Sequence, residues 1–390
     1  MSATDGKKST LAFDLSLFYF CAYGASGALI PFLPLVLSDR GFGAQAISTV
    51  MIVAPIGHLL VPPLWGMLAD HFEARLGLLR LATLGGAAGT LALYPAHSLT
   101  QALAAMVLYC VFRTPIFPLV DATSVASLGE QRGRYARIRV WGSIGFALFA
   151  TLAGHLGGSS RAQLLFFGSA GLQLLSTVAT LRFVAGQPQP KRSLLPELFG
   201  FLTTGPMPLL LIGTAVYYGA HSTYDIYFGL HLRAAGHGDG FVGLALGLGV
   251  LAEVLVMFAA PRLLDRFDPY WFLVGAGGVA ALRWSLLAFV TGAPLLLLLQ
   301  PLHGITFGAW FVALVKLIQD RAPARLRTSV QAVIMASLGL GTILGYGAGG
   351  PAYELGGGAL VFGAAGVASG LAVVIYGLAF RSSRRQSPAA

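Results

Sequence analysis

Charge is what this chain has least of. Only 10% of its 390 residues are Asp, Glu, Lys or Arg, where a soluble domain carries roughly a quarter, so an ordinary water-facing surface is excluded. Cysteine is nearly absent as well. Cys21 and Cys110 both fall inside apolar runs, which excludes a disulfide framework and leaves them as core thiols. The signatures of catalysis are missing too: the GxGxxG-like glycines of 337–350 sit within an apolar run rather than at a strand-to-helix turn, and no nucleophile and base stand together in a supporting motif. His58, His221 and His303 lie in apolar runs without metal-ligand spacing, and a hydrogen-bonded interior position is the expectation for His58. No enzyme activity, cofactor or metal is expected. The formal net charge of +10 is scattered through short loops rather than gathered on one face, which excludes nucleic acid as a partner.

What the chain has in abundance is apolar length. Hydrophobic residues make up 56% of it and the mean hydropathy is +0.75. Twelve runs approach the twenty or so residues that a bilayer core demands of a helix. They lie near 12–37, 45–69, 76–95, 100–121, 138–157, 162–184, 207–232, 241–261, 270–291, 294–318, 328–350 and 358–380. A barrel would alternate apolar and polar residues, whereas continuous runs joined by short loops predict an all-α membrane protein. Lys7 and Lys8 precede the first run and no small-residue cleavage site follows it, so it reads as an uncleaved span.

Loop charge predicts orientation. With both termini and the loops after the even-numbered spans in the cytoplasm, most of the 25 Lys and Arg lie inside, among them Arg75, Arg132, Arg134, Arg137, Lys191, Arg192, Arg262, Arg266, Arg321, Arg325 and Arg327. Arg40, Arg161 and Arg233 fall outside, a bias that sets both ends in the cytosol of a cell (inner) membrane by the positive-inside rule. Residues 186–205, rich in Pro and charge, suit a cytoplasmic linker between an N-terminal six-helix bundle at 1–185 and a C-terminal one at 206–390.

Against this apolar background the stretch PLVDATSVASLGEQRGRYARIRVWGSIGF, 118–146, stands out. Asp121 ends one span and Arg139 opens the next across a basic loop, so a tight helical hairpin lets their side chains meet at membrane depth. Ionised groups there are costly and by default functional. Arg139, Ser143 and Phe146 share one helical face at i, i+4 and i+7; Arg139 either lines a polar site or snorkels to the headgroups, and Phe146 either stacks on a solute or packs in the core. Two roles are open for Arg113: a contact for a carboxylate on the solute, or a structural partner of Asp121.

The halves echo one another. Span 2 ends in PPLWGMLADHFEAR with Asp70, and span 8 ends in FAAPRLLDRFDP with Asp265, half the chain away. GMLAD at 66–70, followed by Glu73 and Arg75, resembles the loop 2–3 motif of the major facilitator superfamily. GALIPFLPLVL at 27–37 is similar to the end of helix 1 in the branch that includes lactose permease, nucleoside–proton symporters and phenylpropionate transporters. The resemblance runs along nearly the whole chain. It implies two pseudo-symmetric six-helix bundles that rock about a central cavity by alternating access, with Gly66, Asp70, Arg75 and Asp265 in the motif that governs conformational change.

The same resemblance implies roles for the intramembrane charges. Asp121 and Arg139 match the carboxylate and arginine of helices 4 and 5 that bind solute, and Phe146 stands where that branch carries a stacking tryptophan. STYDIYF at 222–228 places Asp225 on helix 7, AEVLVMFAAP at 252–261 places Glu253 on helix 8, ALRW at 281–284 places Arg283 on helix 9, and PLHGITF at 301–307 places His303 on helix 10. Lys316 falls in register too. In that branch these groups bind solute and carry protons, with Glu253 and Arg283 the expected coupled pair: a helix movement that exchanges the partner of a buried carboxylate changes its proton affinity.

Departures bear on substrate. Thr306 stands for a glutamate, Val256 for an asparagine, and Phe228 and Gly341 for charged residues of helices 7 and 11, which argues against lactose; HGITFGA is closer to the phenylpropionate side of the branch. Tyr19, Tyr23 and Ser26 at i, i+4 and i+7 line a cavity or pack, and the tyrosines of span 7 pose the same alternative. The expected function is proton-coupled symport of a small polar or aromatic organic solute by a monomer in the lipid bilayer. Proton-antiport efflux of amphipathic compounds and a non-transporting receptor or scaffold are the alternatives.

Overall fold

The computed structural model describes residues 3–128, 133–183 and 195–386. Its order is α1 (Ala3–Leu29), α2 (Leu33–Asp39), α3 (Ala44–His71), α4 (Arg75–Leu93), α5 (Leu99–Arg113), α6 (Ile116–Leu128), α7 (Gly133–His155), α8 (Ala162–Ala179), α9 (Leu195–Thr203), α10 (Met207–Ala234), α11 (Asp239–Leu264), α12 (Pro269–Leu287), α13 (Ala293–Leu299), α14 (Trp310–Arg321) and α15 (Arg327–Gln386). Nine of the described segments are long and apolar enough to cross a bilayer. One of them, α15, holds two spans, since Gly356 and Gly357 leave helical geometry in its middle. Adding α10 and α7 brings the described chain to twelve spans in the expected order.

Proline decides where spans are broken internally. Pro34 opens α2 after the turn that ends α1, Pro115 separates α5 from α6, and Pro301, which cannot donate to the preceding turn, separates α13 from a π-helical turn at Gly304–Ala309. Spans 1, 4 and 10 are thus each two helical pieces. Side-chain caps close other ends: Ser98 and Gln101 form a reciprocal capping box on α5, and Asp268 accepts from Tyr270 N ahead of Pro269 on α12. Leu59, Leu60, Leu64, Leu174, Leu175 and Val178 are exposed, the apolar exterior that lipid favours.

By proximity the chain forms two compact units, Met1–Pro190 with His237–Gly247, and Lys191–Gly236 with Leu248–Ala390. The division differs from 1–185 and 206–390 at one place: the first turns of α11 group with unit 1. The reason is local packing, because a Cβ at Gly243 would sit 2.8 Å from Ala150 O and 3.1 Å from Gly154 Cα. Of the expected linker, 186–194 lie outside the described residues, as do Lys191 and Arg192. Its second part is not irregular: Pro196–Thr203 is helical and bends by 77° into α10. The basic loop at 129–132, with Arg132, also lies outside the described residues, and so does the side chain of Arg134.

In unit 1, α1 and α7 touch backbone to backbone. A Cβ at Gly27 would collide with Phe146 O, and one at Gly145 with Phe20 O, so only glycine permits this crossing. The crossing is what brings the polar face of α1 against that of α7. At one end Arg80 binds Thr180 through Oγ1 (3.2 Å) and O (3.1 Å). At another, Arg40 caps the last carbonyls of α4, donating to Leu93 O, Ala96 O and Tyr94 O at 3.0, 2.8 and 2.7 Å. Cys21 and Cys110 are buried free thiols. His58 hydrogen-bonds Ala54 O through Nδ1 at 2.9 Å, yet it is exposed rather than interior.

Candidate solute and proton sites

Unit 1 gathers its charges around one face of α1. Tyr19, Tyr23 and Ser26, at i, i+4 and i+7, each meet a different ionised residue. The Tyr19 hydroxyl donates to Asp121 Oδ1 at 2.5 Å and lies 3.3 Å from Ser124 Oγ. Arg139 Nη2 donates to the Tyr23 hydroxyl. Arg113 Nη2 donates to Ser26 Oγ and, at 2.8 Å, to Ala22 O. One helical stripe therefore addresses three charges carried by α5, α6 and α7.

The stripe also explains a difference from the expected pairing. Among the described residues Asp121 and Arg139 form no direct ion pair, because tyrosine hydroxyls reach each of them first. The Arg139 guanidinium stands over rings instead, its Cζ 4.0 Å from the Tyr23 centroid and 5.6 Å from that of Tyr19. Tyr23 stacks on Phe117 with centroids 3.9 Å apart, and Arg113 Cζ stands 4.7 Å over Phe117. Of the two roles open for Arg113, a direct pair with Asp121 is not formed among the described residues; its guanidinium ties α5 to α1. Asp121, Arg139, Ser143 and Phe146 are all half-buried, while Arg113 is 5% exposed.

Unit 2 builds a tighter network on Arg283, which is fully buried. Its Nη1 faces His303 Nδ1 at 3.3 Å and donates to Thr306 Oγ1 at 3.2 Å, and its Nη2 donates to Gln300 Oε1 at 3.2 Å. The Tyr224 and Trp284 rings lie 4.8 and 4.5 Å from its Cζ. Gln300 is held in turn by the Tyr224 hydroxyl (2.7 Å) and by its own Nε2 on Leu296 O (2.6 Å), and Tyr217 donates its hydroxyl to Thr306 O.

His303 joins this network to a carboxylate. Its Nε2 lies 3.5 Å from Glu253 Oε2, so the imidazole touches both members of the expected coupled pair. The arrangement has a chemical consequence. An arginine can only donate, so Nδ1 must accept from Arg283, and the ring proton of neutral His303 then sits on Nε2, toward Glu253. Close packing fixes this alignment: a Cβ at Gly304 would lie 2.6 Å from Ala252 O, and one at Gly308 3.1 Å from Glu253 O. The π-helical turn carries Thr306 into the same set, in keeping with the occurrence of such turns at functional sites.

Asp225 lies apart from Arg283 in the hydrogen-bond network and accepts from the Tyr346 hydroxyl on α15 at 3.1 Å. Lys316 pairs with Asp320 one turn away at 3.3 Å. In the α3–α4 turn Arg75 Nη2 meets Asp70 Oδ1 at 3.3 Å, across Glu73 in left-handed backbone at φ 50°. Gly66 has open space at its Cα, and Asp265 is exposed just beyond α11. Gln300, Tyr346 and Phe117 are members that sequence reasoning did not single out. For Gln300 the signal was present as a lone amide in LLLLLQPLHG, which in lipid must find partners.

A twelve-span helical protein with an arginine, histidine and carboxylate network inside its spans is a membrane transporter by class. The sequence model of the MFS_1 like family matches residues 12–364, and the chain belongs to that family, within the major facilitator superfamily. It is 30% identical over 325 residues to the maltose permease of Geobacillus stearothermophilus, covering 82% of each chain. It is 25% identical over 341 residues to a probable 3-phenylpropionic acid transporter of Escherichia coli, covering 82% of this chain and 86% of that one. The crystal structure of the nucleoside transporter NupG superposes with a TM-score of 0.84 at 17% identity, over 95% of this chain and 99% of that one.

Proposed function

We propose that this transporter is a proton-coupled symporter, taking up a small polar or aromatic organic solute by alternating access, as a monomer in the cell (inner) membrane with both termini in the cytoplasm. In this reading Asp121, Arg139, Ser143 and Phe146 bind the solute. Glu253, His303 and Arg283 couple it to the proton, with Asp225 a second carboxylate able to take one. The observation that carries the reading is His303 in contact with both Glu253 and Arg283. A proton added to Glu253 removes the negative charge that His303 Nε2–H faces and leaves a weaker, neutral acceptor. A proton added to His303 takes the Nδ1 lone pair away from Arg283 Nη1, which keeps Thr306 Oγ1. Either event changes the balance of a network built on a fully buried guanidinium, which couples protonation to helix packing.

Similarity to a maltose permease and to a probable 3-phenylpropionic acid transporter supports uptake of an organic solute. Gly66, Asp70, Arg75 and Asp265 serve the conformational cycle in this reading. The test is uptake into proteoliposomes under an imposed pH gradient, acid outside. Accumulation that collapses on adding a proton ionophore is expected, and accumulation indifferent to the ionophore refutes the coupling.

A further inference from the structure

Unit 1 carries an uncompensated positive charge among its spans. Its central feature is a four-layer stack of guanidinium, ring, ring and guanidinium: Arg139 on Tyr23 at 4.0 Å, Tyr23 on Phe117 at 3.9 Å, and Arg113 on Phe117 at 4.7 Å. Against these two cations, the described residues of the spans that build the stack (α1, α5, α6 and α7) supply one carboxylate nearby, Asp121. Asp14, lower on α1, is engaged by Arg182 at 3.6 Å. The two arginines differ in what remains open. Arg113 is buried: its Nη2 donates to Ala22 O and Ser26 Oγ, while its Nε is buried without a hydrogen-bond partner among the described residues, out of reach of a solute. Arg139 is half-buried, and of its five N–H donors one meets a protein acceptor among the described residues, the Tyr23 hydroxyl.

We infer that the solute is a monoanion whose carboxylate is taken by the open N–H fork of Arg139, Arg113 supplying the excess charge that makes an anion the complementary cargo. Asp121 is already satisfied by Tyr19, so it neutralises one arginine and leaves the other for the solute. Ser143, one turn along the same face, adds a hydroxyl donor. A guanidinium binds a carboxylate through two parallel N–H···O bonds that are charge-assisted, which a neutral hydroxyl cannot supply. Carried with one proton, such a solute crosses without net charge, so uptake responds to a pH gradient and not to membrane potential. The inference rests on the symporter reading and narrows its substrate class.

The experiment uses the full chain purified in detergent and matched probes: 3-phenylpropionate against 3-phenylpropan-1-ol, benzoate against benzyl alcohol, with maltose and uridine as neutral solutes. Ligand that binds the folded state raises the melting temperature by mass action. The acids are expected to bind about tenfold or more tightly than their alcohols, the size of one charge-assisted hydrogen bond. Arg139→Lys should keep that order with weaker binding, and Arg139→Gln should erase it. Stabilisation by the alcohols, maltose or uridine equal to that by the acids overturns the inference, as does a panel in which no acid stabilises. The two readings fail separately. A neutral solute accumulated under a pH gradient overturns the anion and leaves the symporter, whereas a bound acid that no pH gradient drives inward overturns the symporter and leaves the anion.

Discussion

Arg139 and Arg283 are the same residue in two different situations. Both lie on apolar spans and both rest on aromatic rings. Arg283 is fully buried and meets three neutral acceptors, His303 Nδ1, Thr306 Oγ1 and Gln300 Oε1. Arg139 is half-buried and leans on Tyr23 with most of its donors open among the described residues. The first arrangement suits a charge that holds a fold together and registers protonation of its neighbours; the second suits a charge that awaits a ligand. Identity of residue type says nothing of this difference, and the number of acceptors around the guanidinium says most of it.

The comparison breaks most visibly at Arg283. Replacing it with Met removes the donor that satisfies Thr306 and Gln300, and leaves those buried polar groups short of partners. The expected loss is about 1–3 kcal/mol of stability, the cost of leaving buried neutral acceptors without their donor, read as a fall in melting temperature in detergent. A loss below about 1 kcal/mol would mean that Arg283 is not the keystone of unit 2. Glu253→Gln costs little stability and comes first in function. The amide still accepts from His303 Nε2–H, so a loss of about 1 kcal/mol or less is expected, while accumulation driven by a pH gradient should vanish and solute counterflow persist. Accumulation at the wild-type level would remove Glu253 from the coupling path.

The sequence made the twelve spans legible because bilayer thickness imposes a length on every apolar run, and Pro and Gly mark the breaks. The sites were legible in part. The residues that carry charge were visible as exceptions in apolar runs, and Asp121, Arg139, Arg283 and His303 all stand in polar clusters. Their partners were not, since pairing depends on which helix faces meet. Tyr19 and Tyr23 reach the charges first because Gly27 and Gly145 let α1 and α7 approach to backbone contact, and no local pattern announces that crossing. Likewise His303 meets both Glu253 and Arg283 through the turn after Pro301. The grouping of 237–247 with unit 1 has the same origin, small residues permitting a close approach that composition alone does not specify.

The finest test of the contrast is Tyr23→Phe. The ring remains, so the stack of Arg139, Tyr23, Phe117 and Arg113 persists, and only the hydroxyl that accepts from Arg139 Nη2 is lost. Because Arg139 is half-buried, water can replace that acceptor, and stability should change by about 0.5 kcal/mol or less. The equivalent deletion in unit 2, Tyr224→Phe, removes a hydroxyl bound to the buried Gln300 Oε1 at 2.7 Å, where no such replacement is at hand, and should cost about 1–1.5 kcal/mol. Melting temperatures of the two variants, measured side by side, decide it. If Tyr23→Phe is as damaging as Tyr224→Phe, the Arg139 guanidinium is a structural tie like Arg283 and not a donor held open for a solute.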